Sequence, residues 1–221
     1  MEKKINKISN GVNKKNNKIS NGVKNYNYKK IRQEVMKLVK KACYSAKNNF
    51  SYTTWQYHIL PVVDHSLHLG RTLKADLEIL ELAAYLHDYA GILDYRLYKK
   101  HHLHGARLAG KILGELNFPA EKIKKVKECI GSHRGSVRIK HKNKEAEILA
   151  SADAMSHFTE LADMFYLTFG IHRYKTLEGA RWLKAKLERS WAKIIPEGRK
   201  LIKEDYKTAK EIINKAISHN A

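Results

Sequence analysis

The chain has 221 residues, 43% of them hydrophobic, and a formal net charge of +21. This length suits one helical domain with a tail, and the hydrophobic fraction is large enough for a sizeable core. No run of about 18 apolar residues occurs and no apolar segment follows the N-terminal lysines, so we expect neither a membrane span nor a secretory signal. Cys43 and Cys129 lie far apart without a CxxC spacing, which favours free thiols in a reducing cytoplasm.

The N-terminal segment is rich in lysine and asparagine and contains the sequence NKISNGV twice, at residues 6–12 and 17–23. It has almost no large apolar side chains, so it cannot bury enough surface to offset the entropy lost on ordering. We therefore expect residues 1–28 to form a disordered tail. Its positive charge would attract the phosphates of nucleic acid, although a solvated extension without a partner is the simpler interpretation.

Helical periodicity begins near residue 29 and continues to the end of the chain, interrupted by only three prolines. Asp76 is placed to begin one helix and Gly91 to end it, and residues 134–142 are predicted to form a basic loop. Helices joined by short connections predict an all-α fold, with residues 29–221 forming one compact multi-helix domain. The predicted helices span about 30–48, 54–72, 76–90, 103–116, 120–133, 143–168, 176–193 and 197–218.

The stretch ELAAYLHDYAG, residues 81–91, carries two adjacent titratable side chains near the end of a predicted buried helix. His87 continues the buried face of Leu80 and Ala84, and Asp88 lies about 100° further round the helix. Burying such groups costs several kcal/mol unless partners satisfy them. The pair is either a hydrogen-bonded core histidine beside a solvated aspartate, or two ligands of a metal ion at the seam between their faces.

The preceding predicted helix offers three histidines as partners for this pair. A short turn centred near residue 74 implies an antiparallel hairpin, in which residues equidistant from the turn lie side by side. His87 follows that turn by about 13 residues and His58 precedes it by about 16. His68 would be about 10 Å out of register at 1.5 Å per residue, and His65 about half as much. The register therefore selects His58.

A further carboxylate comes from EAEILASADAMSHF, residues 145–158. Asp153 lies there within the small-residue run 150–154, and small neighbours allow a helix to approach another closely. A buried aspartate needs a cation nearby, so Asp153 is either a further ligand of the same metal or a surface residue.

In this order, YHILPVV, LAAYLHDYAG and EAEILASADAM resemble the HD-domain superfamily of metal-dependent phosphohydrolases, whose signature is a histidine, a His-Asp pair and a distant aspartate. The similarity runs from about residue 55 to 158, and WLKAKLERSW at 182–191 is similar to the C-terminal part of small stand-alone members. Ser151 is a departure, since relatives often have an acidic residue there. The resemblance implies an HD-type helical bundle whose metal ligands are His58, His87, Asp88 and Asp153.

The resemblance extends to two further histidines, His104 and His133. In related members, histidines at these places hold a second metal or contact the substrate phosphate. The loop after His133 supplies cations that could neutralise a phosphate, although basic loops are more often simply solvated. These cations are Arg134, Arg138 and Lys140.

A mixed histidine and carboxylate site with open positions suits a divalent cation such as Fe, Mn, Zn, Co, Ni or Mg. Such an ion activates water for attack on phosphorus, and Asp88 would bind it and orient or deprotonate that water. We therefore expect a cytoplasmic metal-dependent phosphohydrolase acting on a small phosphorylated substrate, most simply a nucleotide. The alternatives are a non-catalytic metal- or nucleotide-binding module and a nucleic-acid-associated protein that uses the tail. A homodimer is compatible with the resemblance, since small members often pair.

Overall fold

The computed structural model describes residues 26–134 and 141–218, and these parts of the chain contain helices and no strand. The predicted all-α class is confirmed. The longer helices are α1 (Tyr28–Cys43), α2 (Leu60–Thr72), α3 (Leu77–Leu86), α5 (His101–Glu115), α6 (Ala120–Ser132), α7 (Lys144–Thr159), α9 (Thr176–Lys193) and α11 (Lys203–Ser218). The shorter ones are α4 (Tyr89–Leu93), α8 (Leu161–Phe165), α10 (Pro196–Leu201), a 3₁₀ helix (Tyr95–Lys100) and two π-helical turns (Trp55–Ile59 and Tyr166–Ile171).

The hairpin of α2 and α3 forms as its turn predicts. The Asp76 carboxylate accepts hydrogen bonds from the amides of Glu78 and Ile79, which satisfies two free donors at the start of α3. The π-helical turn before α2 extends this arm of the hairpin back to Trp55. The arm is therefore long enough to bring His58 alongside the end of α3.

Helix α7 lies at the centre of the fold and packs against α2, α6 and α9. Every residue from Ala146 to Phe158 except Glu147 is buried, so the helix has no wide solvent face. Ala146, Leu149 and Ala152 join the core around α1, α3 and α6, whereas Ile148 and Met155 join the core around α9 and α11. Because α7 is shared by both cores, Asp153 near its middle is held between them.

Several predicted helices are shorter than expected or divided. The predicted helix 30–48 ends at Cys43, and the predicted helix 76–90 breaks at His87 and Asp88, so Gly91 lies inside α4 instead of ending a helix. The predicted helices 143–168 and 197–218 break at Glu160 and Ile202. Apolar periodicity continues through each break, which is why a pattern of side chains did not show it.

The predicted tail, residues 1–28, lies outside the described residues apart from its last three. Tyr26 donates a hydrogen bond of 2.6 Å to Glu78, and Asn27 caps α1 through the amide of Lys30. The folded part therefore begins earlier than expected. No helix within residues 26–134 and 141–218 has the length and hydropathy needed to cross a membrane, and Cys43 and Cys129 are free buried thiols.

Candidate metal centre

The His87–Asp88 pair lies at the break between α3 and α4. Asp88 immediately precedes α4, with φ −104° and ψ 3°. An aspartate in this position usually accepts hydrogen bonds from the first amides of the following helix, but the Asp88 side chain makes none of them. Its carboxylate faces a cluster of imidazoles instead, so the break in the helix turns both side chains toward one centre.

One oxygen of Asp88 faces the first group of ligand atoms. Its Oδ2 lies 3.3 Å from Nε2 of His58 and 3.7 Å from Nε2 of His87, and these two nitrogens are 3.1 Å apart. Asp153 Oδ1 lies at the edge of this group, 3.8 Å and 4.0 Å from the same two nitrogens. The structure therefore brings together the four residues that the resemblance implies as metal ligands, and three of them, His58, His87 and Asp88, have the spacing of a metal-binding group.

The other oxygen of Asp88 faces a second group. Its Oδ1 lies 3.1 Å from Nε2 of His101 and 3.4 Å from Nε2 of His133, and these nitrogens are again 3.1 Å apart. Asp88, His101 and His133 also have the spacing of a metal-binding group. A single carboxylate is thus shared by two groups, each with two histidines.

In three of the histidines a hydrogen bond from Nδ1 to a backbone carbonyl fixes the orientation of the ring. In each, Nδ1 lies 2.7 Å from the backbone carbonyl three residues earlier, in the pairs His87–Ala84, His101–Tyr98 and His133–Ile130. A carbonyl only accepts, so Nδ1 carries the hydrogen, and Nε2 of the neutral ring presents its lone pair to the centre. Hydrogen bonds of this kind are typical of metal-ligating histidines.

The arrangement of these atoms is more favourable with a divalent cation among them than without one. The Nε2 lone pairs of His101 and His133 face each other at 3.1 Å, and they repel unless a proton or a cation lies between them. In addition, Asp88 Oδ1 is buried without a hydrogen-bond partner among the described residues, which is costly for a carboxylate. Imidazole nitrogens and carboxylate oxygens suit borderline and hard divalent metals.

Burial and charge together set the ionisation of the centre. Burial lowers the pKa of His87 to about 4 and also lowers the pKa of His101, so both rings are neutral at neutral pH. Burial opposes a charged His58 as well, but the carboxylates of Asp88 and Asp153 outweigh it and raise the pKa of His58. Burial would raise the pKa of Asp88, yet the surrounding histidines hold it well below its usual value. The centre therefore presents an anionic carboxylate beside the neutral rings of His87 and His101.

Lys193, the last residue of α9, binds the Asp153 oxygen that does not face the first group. The Lys193 ammonium lies 2.7 Å from Asp153 Oδ2 and 3.0 Å from the carbonyl oxygen of His133. Burial would raise the pKa of Asp153, but Lys193 and the neighbouring histidines outweigh it and keep this pKa well below its usual value. His157 lies on the other side, with Nε2 3.7 Å from Asp153 Oδ1 and Nδ1 2.8 Å from Ser190 Oγ. These contacts leave Asp153 Oδ1 as the oxygen that faces the first group.

Both groups open into a cleft of about 350 Å³. Its remaining walls come from the 3₁₀ helix, from residues 163–174 and from α9. The cleft is lined by aromatic rings and by several cations beside the histidine and aspartate ligands. A polyanionic ligand with an aromatic part would find both kinds of contact there.

Comparison with known proteins agrees with this geometry. The family model for the HD domain matches residues 55–157, the segment that holds both groups. The resemblance to the HD domain is therefore confirmed over residues 55–157. A comparison with curated proteins yields no match.

Two solved structures share the fold of this chain. One is a "predicted HD superfamily hydrolase" from an uncultured Thermotogales bacterium, with 18% identity, a TM-score of 0.57, and coverage of 86% of this chain and 92% of the other. The second is Bacillus subtilis YpgQ in complex with ADP, with 18% identity, a TM-score of 0.62, and coverage of 88% and 98%. At this identity the likeness establishes the fold.

The structure separates the three candidate histidines of the α2 arm as the register predicted. His58 meets His87, whereas the Nε2 atom of His65 lies 3.2 Å from Thr159 Oγ1, and His68 is exposed. His133 also reaches the centre. His104 does not, because it lies one turn beyond His101 on α5 and neither lines the cleft nor joins a ligand group.

The basic loop contributes one described residue to the cleft. Arg134 lines it and donates a hydrogen bond to the carbonyl of Lys99. Arg138 and Lys140 lie outside the described residues. Three residues at the centre were not predicted from the sequence: His101, His157 and Lys193. Of these, His157 could have been found because it lies one helical turn after Asp153.

Proposed function

We propose that this protein is a metal-dependent phosphohydrolase with a two-metal centre. The observation that carries the proposal is the position of Asp88, whose two oxygens face separate pairs of imidazole nitrogens. His58, His87, Asp88 and Asp153 would hold one ion, and His101, His133 and Asp88 the other. Divalent ions in such a site polarise phosphoryl oxygens and lower the pKa of bound water toward neutrality.

The residues of the chain itself supply positioning. Both Asp88 oxygens already face nitrogens, which supports a shared ligand over a general base as its role. Lys193 fixes Asp153 so that Oδ1 faces the centre. Hydrolysis forms a bond from water oxygen to phosphorus and breaks the bond from phosphorus to the leaving oxygen, which takes up a proton. Arg134 and the cations of α9 line the cleft where they would balance the phosphate charge.

A nucleotide is the substrate class that we favour. The cleft combines cations with aromatic rings, and these are the groups that bind phosphates and stack on bases. The YpgQ structure, which shares this fold, is in complex with ADP. A non-catalytic nucleotide-binding module would use the same cleft, so catalysis has to be tested separately from binding.

The test compares Asp88→Asn with Asp64→Asn in the full chain. Asp64 is an exposed aspartate of α2 and serves as a control for the same chemical change. We expect the purified protein to hold up to two divalent ions per chain by elemental analysis and anomalous scattering, and to hydrolyse nucleotides. Asp88→Asn should lose both properties and Asp64→Asn neither. Metal and nucleotide binding without hydrolysis of any phosphate ester in a broad panel would favour the non-catalytic module.

A further inference from the structure

Helix α9 presents one continuous stripe of side chains to the cleft. Trp182, Lys186, Arg189 and Lys193 follow the i, i+4, i+7, i+11 spacing of a single helix face, and all four line the cleft. At the inner end, Lys193 is bound to Asp153 beside the ligand groups. The stripe therefore runs from the metal centre to the outer part of the cleft.

The two middle residues of the stripe are cations without acidic partners. Neither the Lys186 nor the Arg189 side chain makes an ion pair or a hydrogen bond with any residue in the described parts of the chain. Lys186 is partly buried, and burial lowers its pKa to about 8. An ammonium removed from water without a counter-charge is unfavourable, so Lys186 suits an anion brought by a ligand. Arg189 is exposed at the edge of the same cleft, where it can meet a second anionic group.

Three aromatic rings surround the outer end of the stripe. Trp182 lies 5.0 Å from His172 and 5.6 Å from Tyr174 between ring centroids, and His172 and Tyr174 are 5.6 Å apart. All three are only partly buried and line the cleft. Partly exposed rings next to cations form a platform on which a nucleobase can stack.

The spacing along the stripe follows from the helical rise of about 1.5 Å per residue. Lys186 lies about 6 Å along the axis from Trp182, Arg189 about 10 Å and Lys193 about 16 Å. A base on the aromatic platform would thus place its first phosphate near Lys186 and its second near Arg189. A further phosphate would reach the ligand groups beside Lys193.

We propose that this face of α9 selects nucleotides by the number of their phosphates, with Trp182 holding the base, Lys186 the first phosphate and Arg189 the second. This inference rests on the proposed function for the metal centre at the inner end of the stripe. It assigns the substrate class as nucleoside di- and triphosphates in preference to monophosphates.

Binding measured without metal tests the stripe independently of hydrolysis. In the presence of EDTA, full-length protein is titrated with AMP, ADP, ATP and inorganic tripolyphosphate by calorimetry. We expect affinity to rise from AMP to ATP. Arg189→Met should weaken ADP and ATP about tenfold and AMP less than twofold, because its guanidinium meets only the second phosphate. Arg181→Met, an exposed site on the same helix outside the cleft, should change none of them.

Two further variants examine the other positions. Lys186→Met should weaken all three nucleotides about tenfold, since each has a first phosphate. Trp182→Ala should weaken the nucleotides about tenfold and leave tripolyphosphate unchanged, and Trp182→Phe should retain most of the binding. Equal loss of AMP and ATP in Arg189→Met, or no preference for ATP in the unchanged protein, would overturn the proposal. The predicted binding pattern without hydrolysis in metal-loaded protein would support the stripe and count against the phosphohydrolase.

Discussion

His101 and His104 provide a matched pair for testing the second metal group. They lie one turn apart on α5, but only His101 contributes a nitrogen to the group that contains Asp88 and His133. His101→Gln removes one of three protein ligands, whereas His104→Gln makes the same chemical change outside the centre. We expect the first variant to bind one divalent ion per chain and the second to bind as many as the unchanged protein.

The expected size of the effect follows from mass action. Loss of a residue that hydrogen-bonds a metal ligand typically weakens metal binding about 10–100-fold. Loss of a ligand itself should therefore weaken binding by at least about 100-fold. A metal at 100 times its dissociation constant stabilises the fold by about 2.7 kcal/mol, and after a 100-fold weakening the same concentration gives about 0.4 kcal/mol. For a domain of this size the difference corresponds to about 5–10 °C in melting temperature.

The assay combines elemental analysis with thermal melting in increasing Mn²⁺. His101→Gln should lose one ion and most of the second metal-dependent rise in melting temperature, and it should melt at least as high as the unchanged protein in EDTA. The last expectation follows because removing His101 relieves the contact of its nitrogen with that of His133. Loss of the second ion from His104→Gln, or two ions retained by His101→Gln, would refute the assignment.

Three other outcomes are expected. Metal-free protein should lose stability as the pH falls from 6.5 toward 4, because the unfolded chain protonates His87 first and its lowered pKa corresponds to about 3 kcal/mol. The raised pKa of His58 opposes this loss in part. Chemical denaturation at several pH values measures the net change in the free energy of unfolding with pH. A free energy of unfolding that does not change between pH 6.5 and 4 would contradict the prediction. Lys193→Met should cost metal-free protein about 1–3 kcal/mol in urea, since it leaves Asp153 without its partner; an unchanged unfolding midpoint would show that this ion pair adds nothing. Removal of residues 1–25 should leave the melting temperature unchanged, while salt-dependent nucleic-acid binding that survives the deletion would exclude the tail as its source.

The sequence was sufficient for those parts of the centre that depend on local register. His58 could be selected because a short turn with a capping aspartate fixes how α2 and α3 lie against each other. Asp153 could be selected because a carboxylate among small buried residues requires a cation. The resemblance placed the further histidine at His104, and local register could not correct it, because the 3₁₀ helix at Tyr95–Lys100, which sets the start of α5, has no clear sequence pattern. A shift of about one turn along α5 exchanges His101 for His104.

The three histidines whose Nδ1 atoms bond a backbone carbonyl all lie at a helix terminus. His87 and His133 directly follow the last residues of α3 and α6, and His101 is the first residue of α5. At the ends of α3 and α6 the carbonyl three residues earlier has no amide partner from the next turn, so it is free to accept from Nδ1 of His87 or His133. The Tyr98 carbonyl accepts from both the backbone amide and Nδ1 of His101. A histidine in the second turn of a helix, such as His104, meets carbonyls that helical amides already occupy. Breaks in helices are therefore what orient the Nε2 atoms here, and a helix that ran unbroken through His87 and Asp88 would turn Asp88 away from the centre.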